Sequence, residues 1–577
     1  MEKELKIRKI SCKELIGCLF ILVSLIMLGN SIRLCFSSDI WYDELFTMGM
    51  VEHSYGELIG FTARDVHPPL YYCIGKFVLE LCKLIFPLAD SVIIIKIVSV
   101  MPYFLLFIYA VTFLRKRFGL FVSGVFMFCI LAMPQMSAYT VEMRMYGWAL
   151  FFVTAAFFHA YEIMCDWGSN IAYKNEVREA DIEDNAVKSV MSGKYYVRNY
   201  VAILLYGLAA AYTQYFACVA IVMVYLCLLV WIVFCYRRNR DGKSSYGKSC
   251  DRKTCGQSDF KAIKGWIVCV VLSIIGYLPW LFVLISQITT IRDNYWILPL
   301  TWRSIGGCVK FLMKPAFQNE RLNVVMAVAL FGIYVGLIAV YGYSVWNGRR
   351  YEGEVRSKAD SEIVDKMGFA TFCYTVSGCL VLCGLVLFGF IASIVIRPIF
   401  VYRYMLPAVG CFWFCFALCL NKLSGRVQIL CSCIIATFVL IIGICDYRAF
   451  MGEEEYRAVL MKGTAQAISD IDKNDIILYN FDQLQAVCGY YMDQENYLWN
   501  GEPEPLIIDM FGNKGSIQEV DSIKEWLDSG RMVWFFGSFN SREALREEWE
   551  KDGISTDEIG SYMLERYWFN IYKINKG

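Results

Sequence analysis

Charge is scarce over most of this sequence, and that scarcity decides its class. Long uncharged runs recur from residue 14 to residue 446, and the chain as a whole is 57% hydrophobic and only 19% charged. Ordinary soluble proteins are roughly 45–50% apolar and about 25% charged. Runs of about 18 apolar residues or more are long enough to cross a bilayer as helices, so a string of soluble domains is excluded for this stretch. Nucleotide-binding signatures are missing too. There is no GxxxxGKS/T loop and no GxGxxG opening a helix, which argues against ATP hydrolysis and against direct use of a nucleotide sugar. Cysteine is plentiful, at 24, but no CxxC…CxxC spacing marks a zinc site. Most of it lies in apolar runs, where a thiol behaves as a small hydrophobe; Cys250 and Cys255 sit in a charged loop with no histidine nearby. After residue 446 only Cys488 remains, so no disulfide can form within that segment. No fixed-period repeat and no low-complexity tract interrupts the chain.

The charges that are present are unevenly placed. Tyr447 to Gly577 carries 24 acidic and 13 basic residues, and the preceding part carries 30 and 42. The sequence therefore divides into a basic membrane domain, 1–446, with an external first loop at 37–90, and an acidic soluble tail, 447–577. Lys and Arg gather in cytoplasmic loops, so the basic N-terminus sends the first helix, Leu15–Phe36, outward. That run is too long for a cleaved signal peptide and lacks a small-residue cleavage site. Leu70–Pro87 resembles a second span, but its Lys76, Glu80 and Lys83 share one helix face. It reads as an amphipathic helix on the outer surface.

That choice fixes the parity of every later span: Ser91–Leu114, Phe118–Met136, Met145–Cys165, a hairpin over Tyr200–Tyr236, Gly265–Ser286, Leu322–Trp346, Gly368–Phe390, Tyr404–Leu420 and Val427–Cys445. The expectation is an α-helical polytopic membrane protein with about 11 transmembrane helices in a bacterial-type cytoplasmic membrane. Its cytoplasmic segments then collect 29 Lys and Arg, and its external loops before the tail collect 11. The tail has short apolar strands (Ile476–Tyr479, Met532–Phe536, Trp568–Tyr572) and a helical stretch, Ser541–Asp552. It is expected to be an extracytoplasmic α/β domain.

Three external stretches hold unusual residues. The first loop contains Trp41-Tyr42-Asp43-Glu44 and, further on, His67-Pro68-Pro69-Leu70-Tyr71-Tyr72. The second contains Tyr139, Glu142, Arg144 and Tyr146; the third contains Arg397-Pro398 and Arg403-Tyr404. A carboxylate at a membrane surface can deprotonate an acceptor hydroxyl or amine. Guanidinium forks suit phosphate oxygens. Singly, each has an ordinary reading: a solvated loop start, a proline-initiated helix, an ion pair, a snorkelling anchor.

In combination and in this order, the motifs resemble family 39 glycosyltransferases, which include the protein O-mannosyltransferases and lipid A aminoarabinose transferases. The resemblance spans roughly residues 10–450. It implies a GT-C fold and transfer of a sugar, with inversion, from a polyprenyl-phosphate donor to a glycan, lipid or protein acceptor. It assigns Asp43 as general base, with Glu44 supporting it or positioning the acceptor. Arg144, Arg397 and Arg403 would meet the donor phosphate. His67, Tyr71, Glu142, Tyr146, Gln214 and Tyr404 would line the substrate pocket. Gln214 departs from the family, in which a histidine often stands at the tip of the middle hairpin. Some GT-C enzymes use a divalent metal, but no ligand cluster is evident, so no cofactor is assigned and metal dependence stays open. No nucleic-acid partner is expected. The competing readings are a multi-span transporter or lipid flippase, which should carry ionisable groups near mid-membrane, and a non-catalytic assembly or sensor protein that works through its tail.

Overall fold

The structure is a computed structural model describing residues 11–176, 193–241, 252–290, 297–351, 358–423 and 425–577. The basic stretches expected to be cytoplasmic, 166–198 and 237–264, extend outside the described residues, as does Cys250. Contacts divide the chain into two compact units. The first is Met1–Ile32, Ser99–Thr140 and Met145–Tyr447; the second is Arg33–Val98, Val141–Arg144 and Arg448–Gly577. This grouping differs from a division at 446/447, because the first loop belongs with the tail and not with the membrane helices. Its apolar residues find their partners there, as described below.

Among the described residues, nine helices are long and apolar enough to cross a membrane. One of them, Ser91–Leu131, is two rods: Gly119 lies at φ 86°, ψ 173°, a backbone conformation open to glycine because it has no Cβ. The break falls where Ser91–Leu114 and Phe118–Met136 were expected to part. The shorter apolar helix Tyr196–Ala211 and the helix Tyr215–Asp241 form the expected hairpin. The nine helices, with one divided and the short one added, account for the 11 spans. In the first unit Tyr146–Met164 and Tyr402–Asn421 are almost wholly enclosed by protein, whereas Ala262–Ile288 leaves most of its apolar surface uncovered. Hydrocarbon would cover such a surface in a bilayer. Small residues allow the enclosed helices to approach closely: a Cβ on Gly410 would overlap the Thr154 hydroxyl.

The second unit is built on a six-stranded sheet: β1 Ile476–Tyr479, β2 Glu495–Trp499, β3 Gly515–Ile517, β4 Val533–Gly537, β5 Ile554–Leu564 and β6 Tyr567–Lys576. The order is β3-β2-β1-β4-β6-β5, with the first four strands parallel and β6 and β5 antiparallel. β1 alternates its side chains between two cores, as period 2 requires. Ile476 and Leu478 pack with Ile523 and Trp549. Ile477 and Tyr479 join Ile40, Leu45, Met48 and Val51 of the first loop. Burial on both faces is why β1 reads as an unbroken apolar run. Ligands of open α/β sheets often bind where the strand order reverses. Here that point, between β1 and β4, is filled by the protein's own side chains: Asn480 donates to the Ser538 carbonyl (3.0 Å) and accepts from its N–H (2.8 Å), and Phe481 packs on Phe539.

The first loop folds into three helices, α2 (Tyr42–Glu52), α3 (Tyr55–Arg64) and α4 (Leu70–Ile85), between α1 (Cys12–Cys35) and α5 (Ser91–Tyr109). Ser54 and Glu57 close a capping box on α3. α4 starts at the His67-Pro68-Pro69 break; its 16 residues reach about 24 Å, short of a bilayer core of about 30 Å. One face buries Tyr71, Tyr72, Gly75 and Leu79, while Phe77, Leu81, Leu84 and Ile85 are exposed on another. Lys76 pairs with Glu80 at 2.8 Å and Lys83 bonds the Ala89 carbonyl. The helix is amphipathic and is not among the spanning candidates.

Candidate functional site

Asp43 lies in the first turn of α2, where the helix N-terminus favours a negative charge. It is half-buried, and Glu44 beside it is fully buried. The two neighbours differ in role. The Glu44 carboxylate accepts the N–H of Trp41 (2.9 Å) and the N–H of Met143 (2.5 Å). Thr47 of the same helix donates to the Met143 carbonyl at 2.7 Å. α2 therefore grips both backbone groups of one residue, Met143, at the centre of a tight turn in which the Arg144 N–H bonds the Glu142 carbonyl at 2.7 Å. Both Glu44 oxygens are engaged by backbone, so of the two roles expected of it, supporting Asp43 or positioning the acceptor, the contacts seen are of the supporting kind. Burial pushes its pKa up, against the opposing pull of Lys96, the two amides and Arg457.

The brace delivers Arg144 to α2. Its guanidinium, buried with Glu142, donates to the Asp43 carbonyl at 3.0 Å and reaches the Tyr72 hydroxyl at 3.5 Å. Tyr71 and Tyr72 are buried and pack edge to face; Tyr72 is raised above the ordinary phenol range, chiefly by burial, against the pull of Arg144. His67 is buried in the turn that leads into them. The second unit thus brings together Asp43, Glu142, Arg144, His67 and Tyr71. Sequence reasoning missed Asp65 in the same group. Burial and the like charge of Asp43 raise its pKa, and Arg144 and the Val66 amide lower it. One signal was available: Asp65 is the C-cap of α3, the helix end that disfavours a carboxylate.

The remaining candidates lie in the first unit. Arg403 stands in a short turn, Tyr402–Met405, with its guanidinium 5.7 Å over the Tyr146 ring. Tyr404 is buried and stacks on Phe216 at 4.7 Å. Gln214, two residues before Phe216, is buried at the hairpin tip, and neither end of its amide has a hydrogen-bond partner among the described residues. Arg397 is half-buried at the end of the helix Lys358–Val395. Lys96, the clearest intramembrane charge in the sequence, proves to be a loop anchor: its ammonium donates to Ser38 and Asp39. Among the described residues no group of three or more His, Cys, Asp or Glu side chains is placed to hold a metal ion.

No family model matches the chain, and no curated protein matches it by sequence. Solved structures do. ArnT from Cupriavidus metallidurans in the apo state is 12% identical with a TM-score of 0.53, over 96% of this chain and 97% of that one. The same protein bound to undecaprenyl phosphate is 13% identical with a TM-score of 0.52 over the same shares. The chain therefore has the fold of ArnT, a polytopic helical membrane fold with a small sheet domain at its C-terminus.

Proposed function

We propose that this chain is an inverting glycosyltransferase of the family 39 type, which moves a sugar from a polyprenyl-phosphate donor to an extracytoplasmic acceptor: a cell-envelope glycan, a lipid or a protein. The observation that carries the reading is the gathering of Asp43, Asp65, Tyr72 and Arg144 in one unit. The likeness to a structure that binds undecaprenyl phosphate supports a lipid-phosphate donor.

In this reading the acceptor hydroxyl or amine gives its proton to the Asp43 carboxylate. Its oxygen or nitrogen bonds the anomeric carbon from the face opposite the phosphate. The bond from that carbon to the phosphate oxygen breaks, and its electron pair leaves with the polyprenyl phosphate. Asp65, held toward its neutral form by burial, stands ready to share the proton. Arg144 balances the carboxylates and the developing phosphate charge, and Arg397 and Arg403 are the first unit's cations for the donor phosphate. The resemblance makes His67, Tyr71 and Glu142 the substrate-pocket candidates of the second unit, and Tyr146, Gln214 and Tyr404 those of the first. No step is routed through a metal. The distribution of basic loops supports a tail and an active face outside the cell; a tag after Gly577 should be reachable on intact cells.

The test is mass spectrometry of envelope glycans and polyprenyl-phosphate sugars with and without the protein, followed by transfer assays on the purified enzyme. Asp43→Asn should keep expression and folding and lose transfer. Full activity in that variant would remove Asp43 from the base role.

A further inference from the structure

The segment Ser38–Trp41, which leads into Asp43, has no regular secondary structure, yet its backbone groups are held one after another. Lys96 donates to the Ser38 carbonyl (2.7 Å), the Ser38 hydroxyl (2.7 Å) and the Asp39 carbonyl (2.8 Å), using all three of its donors. The Asp39 N–H bonds Glu454 at 2.6 Å, and the Ile40 carbonyl accepts from Arg457 at 2.6 Å. Glu454 and Arg457 lie on the long helix Gly425–Ser469 and bond each other at 2.8 Å. A second guanidinium nitrogen contact, at 3.8 Å, joins Arg457 to Glu565, whose other oxygen accepts from Tyr491.

Glu565 and Arg566 form the two-residue turn between β5 and β6, both at positive φ, 51° and 72°. Such turns are normally built from Asn and Gly. Two large charged residues in this strained conformation point to a function. The turn sends Glu565 inward to Arg457, sets Arg566 5.7 Å over the Trp41 ring, and is followed by Tyr567, which packs edge to face on Tyr42 at 5.1 Å.

We propose that Arg457 and Glu565 are positioning residues for the general base, fixing Asp43 through the Ser38–Trp41 segment, so that the tail is a working part of the catalytic apparatus. This rests on the transferase reading above. The network also carries a pH response. Burial, with the charges of Asp39 and Glu44, pushes Glu565 up to about 8, against Tyr491 and Arg457; Tyr490 also faces it. Below that pH Glu565 is neutral and Arg457 stays on the Ile40 carbonyl. Above it, the new carboxylate competes for the guanidinium, and the segment loosens.

The experiment uses the full chain in nanodiscs with a defined polyprenyl-phosphate sugar, and reads kcat, KM for the donor, and amide exchange at residues 38–43. Arg457→Met should lower kcat about a hundredfold, the loss expected from a displacement of about 1 Å. KM should stay nearly unchanged, and exchange at 38–43 should rise. Arg457→Lys should recover part of the loss. Glu565→Gln should remove an alkaline fall centred near pH 8. Unchanged kcat and exchange in Arg457→Met would overturn the proposal. Should that variant fail to fold, an alkaline limb identical in wild type and Glu565→Gln overturns it instead. A wild type that transfers no sugar sinks the transferase reading and this assignment together. An active wild type with indifferent variants sinks the positioning alone.

Discussion

The contacts described at the candidate residues differ in kind between the two units. In the second unit, Asp43 and Arg144 are fixed by hydrogen bonds from buried side chains to backbone: Glu44 and Thr47 on Met143, Arg144 on the Asp43 carbonyl, Arg457 on Ile40. In the first unit, Arg403 rests on a ring face and Tyr404 on another ring. Directional bonds in a low-dielectric interior fix position closely and are costly to leave unmade. Ring contacts tolerate sliding at little cost. A proton acceptor must meet its proton within hydrogen-bond reach, whereas a phosphate on a mobile lipid can be met by charges that give. On the transferase reading proposed above, the contrast gives the precise chemistry to the second unit and the accommodation of the donor to the first.

Substitution can break that contrast. Asp43→Asn should have the largest effect, lowering turnover about a thousandfold, within the range for a lost general base, with the fold intact by thermal unfolding. The arginines sharpen the comparison. Arg144→Lys should cost about a hundredfold in kcat and also lower stability, because the Asp43 carbonyl loses its donor. Arg403→Lys keeps the charge over Tyr146 and should act mainly on KM for the donor, by about tenfold. Equal effects on the same kinetic constant would erase the distinction between the units.

The polar-held unit should also respond to pH where the ring-held one does not. Glu565 rises from the ordinary 4.5 to about 8 on folding. Between those values the folded state binds the extra proton, so stability falls as pH rises through the window and levels off above it. The expected loss is a few kcal/mol, confined to the second unit and removed by Glu565→Gln. Amide exchange at pH 5 and pH 8, read separately for β1 and for the helix Leu406–Asn421, checks it.

Much of this was legible in the sequence. The long uncharged runs marked the membrane helices because a bilayer tolerates little else, and α4 declared itself through Lys76, Glu80 and Lys83. The apolar runs of β1 and β4 were visible because strands covered on both faces have no polar alternation. The motifs named Asp43, His67, Arg144 and Arg403. What stayed hidden was long-range. Nothing near Arg457 or Glu565 announces that they serve a peptide more than 400 residues away, and the first loop's membership of the tail's core depends on tertiary packing alone. The inward turn of Glu44 was hidden as well: a helix sets neighbouring side chains about 100° apart, so adjacency to Asp43 does not tell that Glu44 is buried on backbone amides.

The smallest predicted effect tests the first unit's side of the contrast. Phe216 and Tyr404 stack at 4.7 Å with an interplanar angle of 28°, and such a pair contributes about 0.5–1.5 kcal/mol beyond its buried area. Phe216→Leu keeps most of the volume and loses the ring. If stacking only supports the turn that bears Arg403, unfolding should move by about that amount, with kcat unchanged and KM for the donor slightly raised. A large fall in kcat would mean that the Tyr402–Met405 turn must be held as rigidly as Asp43, and the assignment of precision to one unit alone would fail.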